Sequence, residues 1–291
     1  MSSFANLKSS SSNLDKLAKA IEKLNSAETP TKDDNFWKPE VDKVGNGYAV
    51  IRFLPQPSVD GDDALPWVKV FNHGFQGPGG WYIENSLTTL NQKDPVSEYN
   101  SQLWNSGIEA NKEVARKQKR RLSYIANIYV VEDSKNPQNQ GKVFLYKFGK
   151  KIFDKINEAM NPAFEDEKPL NPFDMWEGAN FKLKIRKVEG YQNYDKSEFE
   201  SPSALLNDDA KLEAIWKKEY SLKEFLLPEN FKSYDELKAR LDKVLGLDGS
   251  PVVAKTTVEQ AKAMPRKPVM ADAGIAEDDD DLAYFSKLAE E

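Results

Sequence analysis

The sequence predicts an α+β protein with a mainly β core. Three observations carry that prediction. Between about residues 37 and 200 the apolar runs are short, rich in β-branched and aromatic residues, and bounded by Gly, Pro and Asn turns. Phe181 to Val188 alternates, with Phe181, Leu183 and Ile185 on one face and Lys182, Lys184 and Arg186 on the other, which marks a half-buried strand with a cationic outer face. At both margins of this region the apolar spacing turns helical.

In chain order, residues 1–12 are Ser-rich, and Leu14, Leu17, Ala18, Ile21 and Leu24 then follow helical spacing behind a Ser12 or Asn13 cap. Tyr48 to Leu54 reads as a strand entered through Gly45-Asn46-Gly47. Val68 to Phe71 and Trp81 to Ile83 flank a Gly-rich loop from Gly74 to Gly80, the pattern of a hairpin with an irregular tip. Leu122 to Val131 and Lys142 to Phe148 are further strands, separated by a polar loop around Asn136-Pro137. Helices are predicted over Lys151 to Met160 and Ala204 to Tyr220, and a third behind the capping box Ser233-x-x-Glu236. From Asp248 to Met270 the composition turns to Pro, Ala, Lys and Thr without a core pattern, which reads as a flexible linker.

Composition narrows the function. The 291 residues include no Cys and one His, His73, so disulfides, thiolate metal sites, Cys nucleophiles and multi-histidine metal centres are excluded. No apolar run approaches the ~18 residues of a membrane span, and no signal-peptide pattern opens the chain. Acid pairs such as Asp62-Asp63 and the run Glu165-Asp166-Glu167 fall in polar loops rather than on rigid elements, and no Gly-rich phosphate loop occurs. The expectation is an intracellular binding protein without cofactor or metal, not an enzyme.

The net charge of −6 averages over unlike segments. From Ala271 to Glu291 there are eight acids and one base, so residues 1–270 together carry +1. Within that body, Lys112, Arg116, Lys117, Lys119, Arg120 and Arg121 fall in ten residues with one acid, Glu113. A solvated helix face with a solubilising tail would account for this; so would a polyanion-binding surface that the tail can cover. Unpaired bases stack on aromatic rings at roughly 1–3 kcal/mol each while phosphates require cations along a groove. Bases and aromatics coincide at several strand ends here: Lys119-Arg120-Arg121 before Tyr124, Tyr146 with Lys147, Lys150 and Lys151, and Tyr191 and Tyr194 behind Lys182, Lys184 and Arg186. Each aromatic alone is equally compatible with core packing. The combination points to an OB-like barrel or sheet for single-stranded nucleic acid.

Asn46-Gly47-Tyr48-Ala49-Val50-Ile51-Arg52-Phe53-Leu54-Pro55 resembles the T-even phage single-stranded-DNA-binding protein family, the helix-destabilising replication proteins. Asn72-His73-Gly74-Phe75, Trp81-Tyr82-Ile83-Glu84, Ser123-Tyr124, Gly141-Lys142-Val143-Phe144, Phe148-Gly149-Lys150-Lys151-Ile152 and Trp176-Glu177-Gly178-Ala179-Asn180-Phe181 agree in order and spacing. The resemblance implies an N-terminal arm for cooperative contacts with itself over 1–30, an OB-containing DNA-binding core over 31–247, a linker over 248–270 and an acidic partner-binding tail over 271–291. It puts Arg52, Lys119, Arg120 and Arg121 on phosphates, and Tyr124, Tyr146, Tyr191 and Tyr194 along the base cleft, with Trp104 near a family tyrosine. It assigns cooperativity to Lys8, Leu14, Leu17 and Ile21. Docking of phage DNA polymerase, helicase loader, primase and recombination mediator falls to Asp278, Asp279, Asp280, Asp281, Tyr284, Phe285 and Leu288. The implied setting is the host cell cytoplasm, in DNA replication, recombination and repair.

The sequence departs from the family in three places. The family's zinc ligands are one His and three Cys; here His73 remains, while Ser86, Asp94 and Ser97 stand at the cysteine positions, so no metal and a repacked loop over 85–98 are expected. The arm's basic motif is reduced to Lys8 before four serines, and an aromatic near the basic cluster is replaced around Val114 and Ala115. Two other functions fit the same residues: a single-stranded RNA-binding translational regulator, and an assembly or DNA-mimic protein working through its acidic tail.

Overall fold

A computed structural model describes residues 35–247. The predicted N-terminal helix, the linker and the acidic tail lie outside them. The chain divides into two compact units after Trp37. The described end of the first holds the short strand β1 (Phe36–Trp37). The second is a mixed α+β unit whose described residues form a large antiparallel sheet and five α-helices. Its elements are β2 (Gly47–Phe53), β3 (Trp67–Gly77), β4 (Gly80–Asn85), α1 (Pro95–Asn105), α2 (Glu109–Gln118), β5 (Arg121–Glu132), β6 (Val143–Phe148), α3 (Lys150–Met160), β7 (Phe181–Val188), β8 (Tyr191–Asn193), β9 (Glu198–Phe199), α4 (Asp209–Trp216) and α5 (Tyr234–Leu245).

The twelve-residue β5 organises the sheet. Its first half pairs with β3, from Asn72↔Arg121 to Trp67↔Ala126, and its second half pairs with β2, from Phe53↔Ile128 to Val50↔Glu132. β6 covers the opposite edge between Tyr124↔Phe148 and Tyr129↔Val143. β7 continues beyond β2 and carries β8 and β9. The alternation predicted for β7 holds: Phe181, Leu183 and Ile185 are buried opposite Ile51, Ala49 and Gly47. Phe53 sits at the centre of this interior, edge-on to Phe148 and Phe173 at 5.5 and 5.8 Å.

A second core lies under the hairpin. Phe75 stacks on Tyr82 at 5.0 Å, and Leu87, Val96 and the α5 residues Leu237, Leu241 and Val244 close around them. The expected irregular loop from Gly74 to Gly80 is instead strand up to Gly77↔Gly80, leaving Pro78-Gly79 as the tip. The glycines serve close approach rather than slack. The Gly79 amide donates to the Val244 carbonyl at 2.8 Å, and a Cβ on Gly79 would stand 2.1 Å from the Lys243 carbonyl oxygen.

Two other expectations change. The helix predicted over Ala204 to Tyr220 shrinks to α4, Asp209–Trp216, because its two ends are held elsewhere. Ser203 and Leu205 donate their amides to Gly178 and Met175, and beyond the helix the buried Asn127 side chain takes both the Tyr220 amide and carbonyl. Residues 95–118, where the sequence suggests only a loop over 85–98 and a basic cluster from Lys112 with a helix face as one account of it, fold into α1 and α2. Asp94 caps α1 through the Val96 and Ser97 amides, with Pro95 at its first position. The Ser233/Glu236 capping box opens α5 as predicted.

Candidate nucleic-acid interface

Cations and aromatic rings meet around the head of β5. α2 lies beside α1 and brings Lys112 and Arg116 over the Trp104 ring, at 5.7 and 5.3 Å from its centre. Glu109 and Glu113 brace Arg116 from below. After α2 the chain turns at Lys119 into β5, and Arg120 lies over Phe71 of β3 at 4.0 Å, with Lys69 over the same ring at 5.0 Å. One step along this face, Tyr124 stacks flat on Phe153 of α3, 3.9 Å between centres and 2° between planes. Lys150 opens α3 and pairs with Asp154 at 2.9 Å. Lys147 sits opposite Ile125, on the other face of the sheet. A cation over a ring takes up that face and leaves stacking to the other one, an arrangement that sets positive charge beside ring surface as a phosphate and its base require.

The other predicted site residues separate from this cluster. Arg52, expected on a phosphate, is fully buried and is corrected to a structural role. Its Nε donates to Asn180 Oδ1 at 3.1 Å, Nη1 to the Asp174 carbonyl at 3.0 Å and Nη2 to the Ser203 carbonyl at 2.8 Å. Burial lowers its pKa, against the pull of Asp174 and Glu200. Gly178 makes the room, since a Cβ there would stand 2.9 Å from Nη1. Tyr124, Tyr146 and Tyr194 are likewise buried, at 7%, 3% and 8% exposure, so they form part of the wall rather than an open stacking face. Burial raises the Tyr146 and Tyr194 hydroxyls above their ordinary value.

Lys182, Lys184 and Arg186 do form an outward row, but each faces an acid: Glu200 at 3.0 Å, Glu198 at 2.6 Å and Asp195 at 2.5 Å. That row is electrically matched, as Lys112 and Arg116 are by Glu109 and Glu113 and Lys150 is by Asp154. Tyr191 is open to solvent but lies on β8, opposite Val188 and past the Gly47↔Ile185 end of the β2–β7 ladder, apart from the head of β5. Sequence reasoning left Lys69, Phe71 and Phe153 out of the site. Their signal was weak: Lys69-Val70-Phe71 reads as ordinary strand, and only the β3–β5 register brings it beside Arg120.

The positions of the family's metal ligands converge as well. His73, Ser86, Asp94 and Ser97 are all buried. Asp94 stands at their centre: Oδ2 accepts from Ser86 Oγ at 3.0 Å and the Leu87 amide at 3.1 Å, and Oδ1 accepts from the Val96 and Ser97 amides at 3.0 and 3.1 Å. His73 Nδ1 donates to the Gln118 carbonyl at 3.0 Å, and its Nε2 stands 3.3 Å from Asp94 Oδ1. Burial would raise the Asp94 carboxyl, but His73, the Ser97 amide and the Ser86 hydroxyl hold it below the ordinary carboxylate value. These residues do not fit a zinc ion. Both carboxylate oxygens are spent on protein donors, two of the four positions are neutral hydroxyls, and the set lacks thiolates. The carboxylate itself draws together the segments that a metal would.

The model of the family described as gp32 DNA binding protein like matches residues 45–245. The single-stranded DNA-binding protein of Enterobacteria phage T2 is 41% identical over 238 residues, 79% of this chain and 76% of the relative. That of Enterobacteria phage T4 is 40% identical over 253 residues, 84% of this chain and 82% of the relative. The matched span contains the sheet, the hairpin and the cation–aromatic cluster, and on that match the chain belongs to the gp32-like DNA-binding protein family.

Proposed function

We propose that this protein coats single-stranded DNA without sequence preference during phage DNA replication, recombination and repair inside the infected cell, and that it is a binding protein rather than an enzyme. The observation that carries the reading is the cation–ring cluster at the head of β5, with Arg120 and Lys69 on Phe71 and Lys112 and Arg116 on Trp104. Its relatives from phages T2 and T4 are named single-stranded DNA-binding proteins. Lys119, Arg120 and Arg121 take phosphates, and Trp104, Phe71 and Phe153 offer ring surface to bases. Duplex DNA hides its base faces in the stack, so stacking favours the open strand and melts hairpins as it spreads.

The long strands, with β5 shared between β2, β3 and β6, support an OB-type barrel as the binding core. The arm, linker and acidic tail keep the roles that the resemblance implies: contact with the next protomer, reach, and capture of replication proteins. Fluorescence anisotropy with single-stranded DNA, single-stranded RNA and duplex DNA of equal length tests the function. Preference for single-stranded DNA over duplex by at least tenfold is expected; duplex bound as tightly as the open strand would contradict it.

A further inference from the structure

The outer face of the β3–β4 hairpin is unused by the cluster above. Alternation buries His73, Phe75 and Tyr82 on the inner face and leaves Trp81 and Ile83 on the outer one, at 57% and 46% exposure. Other large side chains are as open, Trp176 at 56% among them; Trp81 and Ile83 differ in standing next to each other on one strand face, as a continuous apolar strip. Opposite these residues stand Gln76 and Gly74, so the strip has no bulky neighbour on β3. The same face runs on through Asn72 to its β5 partner, Arg121. Arg121 reaches along it: a Cβ on Gly74 would stand 3.3 Å from its Nη1 and 3.6 Å from its Cζ. Arg120 lies over Phe71 on the opposite side of β3. The basic triplet thus serves both faces, and Arg121 is the link between them.

We infer that the outer hairpin face extends the path of the single strand, with Arg121 holding a phosphate over Gly74 and Trp81 stacking a base farther along. This rests on the single-strand function proposed above and adds a stacking residue to it. Trp81 pairs opposite Gln76, four residues along β3 from Asn72 and on the far edge of β3 from Arg121, so the backbones of Arg121 and Trp81 are separated by about 16 Å, a span of a few nucleotides. The platform is fixed before the ligand arrives. Gly79 is hydrogen-bonded to Val244 and lies too close to α5 for any side chain, so little ordering is left to oppose binding. Gln76 adds a side-chain amide beside the indole, and Glu84, the acid of β4, lies on the other face, engaged by Lys232 and Arg240. The surface offered to the strand carries ring, amide and cation.

The test compares the full-length chain with Trp81→Ala and Trp81→Phe, titrated with an oligo-dT length series. On oligomers long enough to span both faces, W81A is expected to bind about 5- to 150-fold more weakly, the equivalent of ~1–3 kcal/mol for one stacked base, and W81F to recover most of the loss. Short oligomers should distinguish the variants much less. In the unaltered protein, photo-crosslinking of a 5-bromodeoxyuridine oligomer should map to Trp81. Long oligomers bound equally by wild type and W81A, with no crosslink at Trp81, would overturn this inference and leave the single-strand function standing. Failure of the unaltered chain to bind any oligomer would instead sink that function.

Discussion

Arg52 lies on a strand within a motif that reads as DNA-binding, yet its guanidinium stitches β2 to the 171–180 loop and to Ser203. Removing it strands buried carbonyl groups and opens a cavity, so Arg52→Ala should cost about 3 kcal/mol or more in chemical denaturation. The DNA salt slope of whatever remains folded should be unchanged. Glu219 is the converse, a buried carboxyl whose oxygens find no hydrogen-bond partner among the described residues. Burial, with Asp60 nearby, pushes it up to about 9. Between its ordinary 4.5 and that value the folded chain keeps a proton that the unfolded chain releases, so stability falls as pH rises through this window. Glu219→Gln removes that dependence. Melting temperatures at pH 5 and pH 8 should lie closer together in the variant than in the wild type. An equal gap in both proteins would show that Glu219 does not hold the proton.

At the scale of elements, the hairpin, α1 and α5 depend on two contacts that leave different signatures. Gly79→Ala drives a methyl into the Lys243 carbonyl, so the hairpin must lift from α5; a loss of a few kcal/mol is expected, with protease sensitivity first appearing near residues 77–80. Asp94 replaces a metal as the tie between the hairpin and α1. Because its folded pKa is depressed, the stability it contributes is present above the unfolded value of 3.8 and is lost as pH falls below it. Asp94→Asn should therefore destabilise the protein by roughly 1–3 kcal/mol at neutral pH, whereas chelator or added zinc should leave the wild-type melting temperature unmoved. A rise in that temperature with zinc would contradict the assignment. Much of this level was legible in the sequence. The alternation of β7, the strands β2, β5 and β6, and the α5 capping box all read directly, because local pattern and burial agree there. The hairpin glycines misled because their role is set by α5, more than 150 residues away, and Ala204 to Tyr220 misled because tertiary hydrogen bonds hold its ends out of the helix. Arg52 and the buried tyrosines share that cause: chemistry that looks like a binding groove in one dimension is turned inward by pairing partners distant in sequence.

For the whole molecule the decisive quantity is where the charge sits. The last 21 residues sum to −7 and the remainder to +1, with six of its bases falling within residues 112–121, running into β5. Removal of residues 271–291 should tighten and speed association with single-stranded DNA at low salt, an effect that fades as salt screens the tail; equal affinity at low salt would separate the tail from DNA binding. The partner-capturing role proposed for residues 271–291 predicts that binding of replication proteins is lost in the same truncation. The central claim is that the cations and rings at the head of β5 carry the strand, and it is tested most directly by quenching of intrinsic fluorescence with oligo-dT at several salt concentrations, in the wild type and in Lys119→Ala/Arg120→Ala/Arg121→Ala. Tight quenching with a steep negative salt slope is predicted for the wild type, and a slope shallower by about 2 for the triple variant, since each lost phosphate contact contributes ~0.7. No quenching at low salt, or an unchanged slope in the variant, would contradict the account.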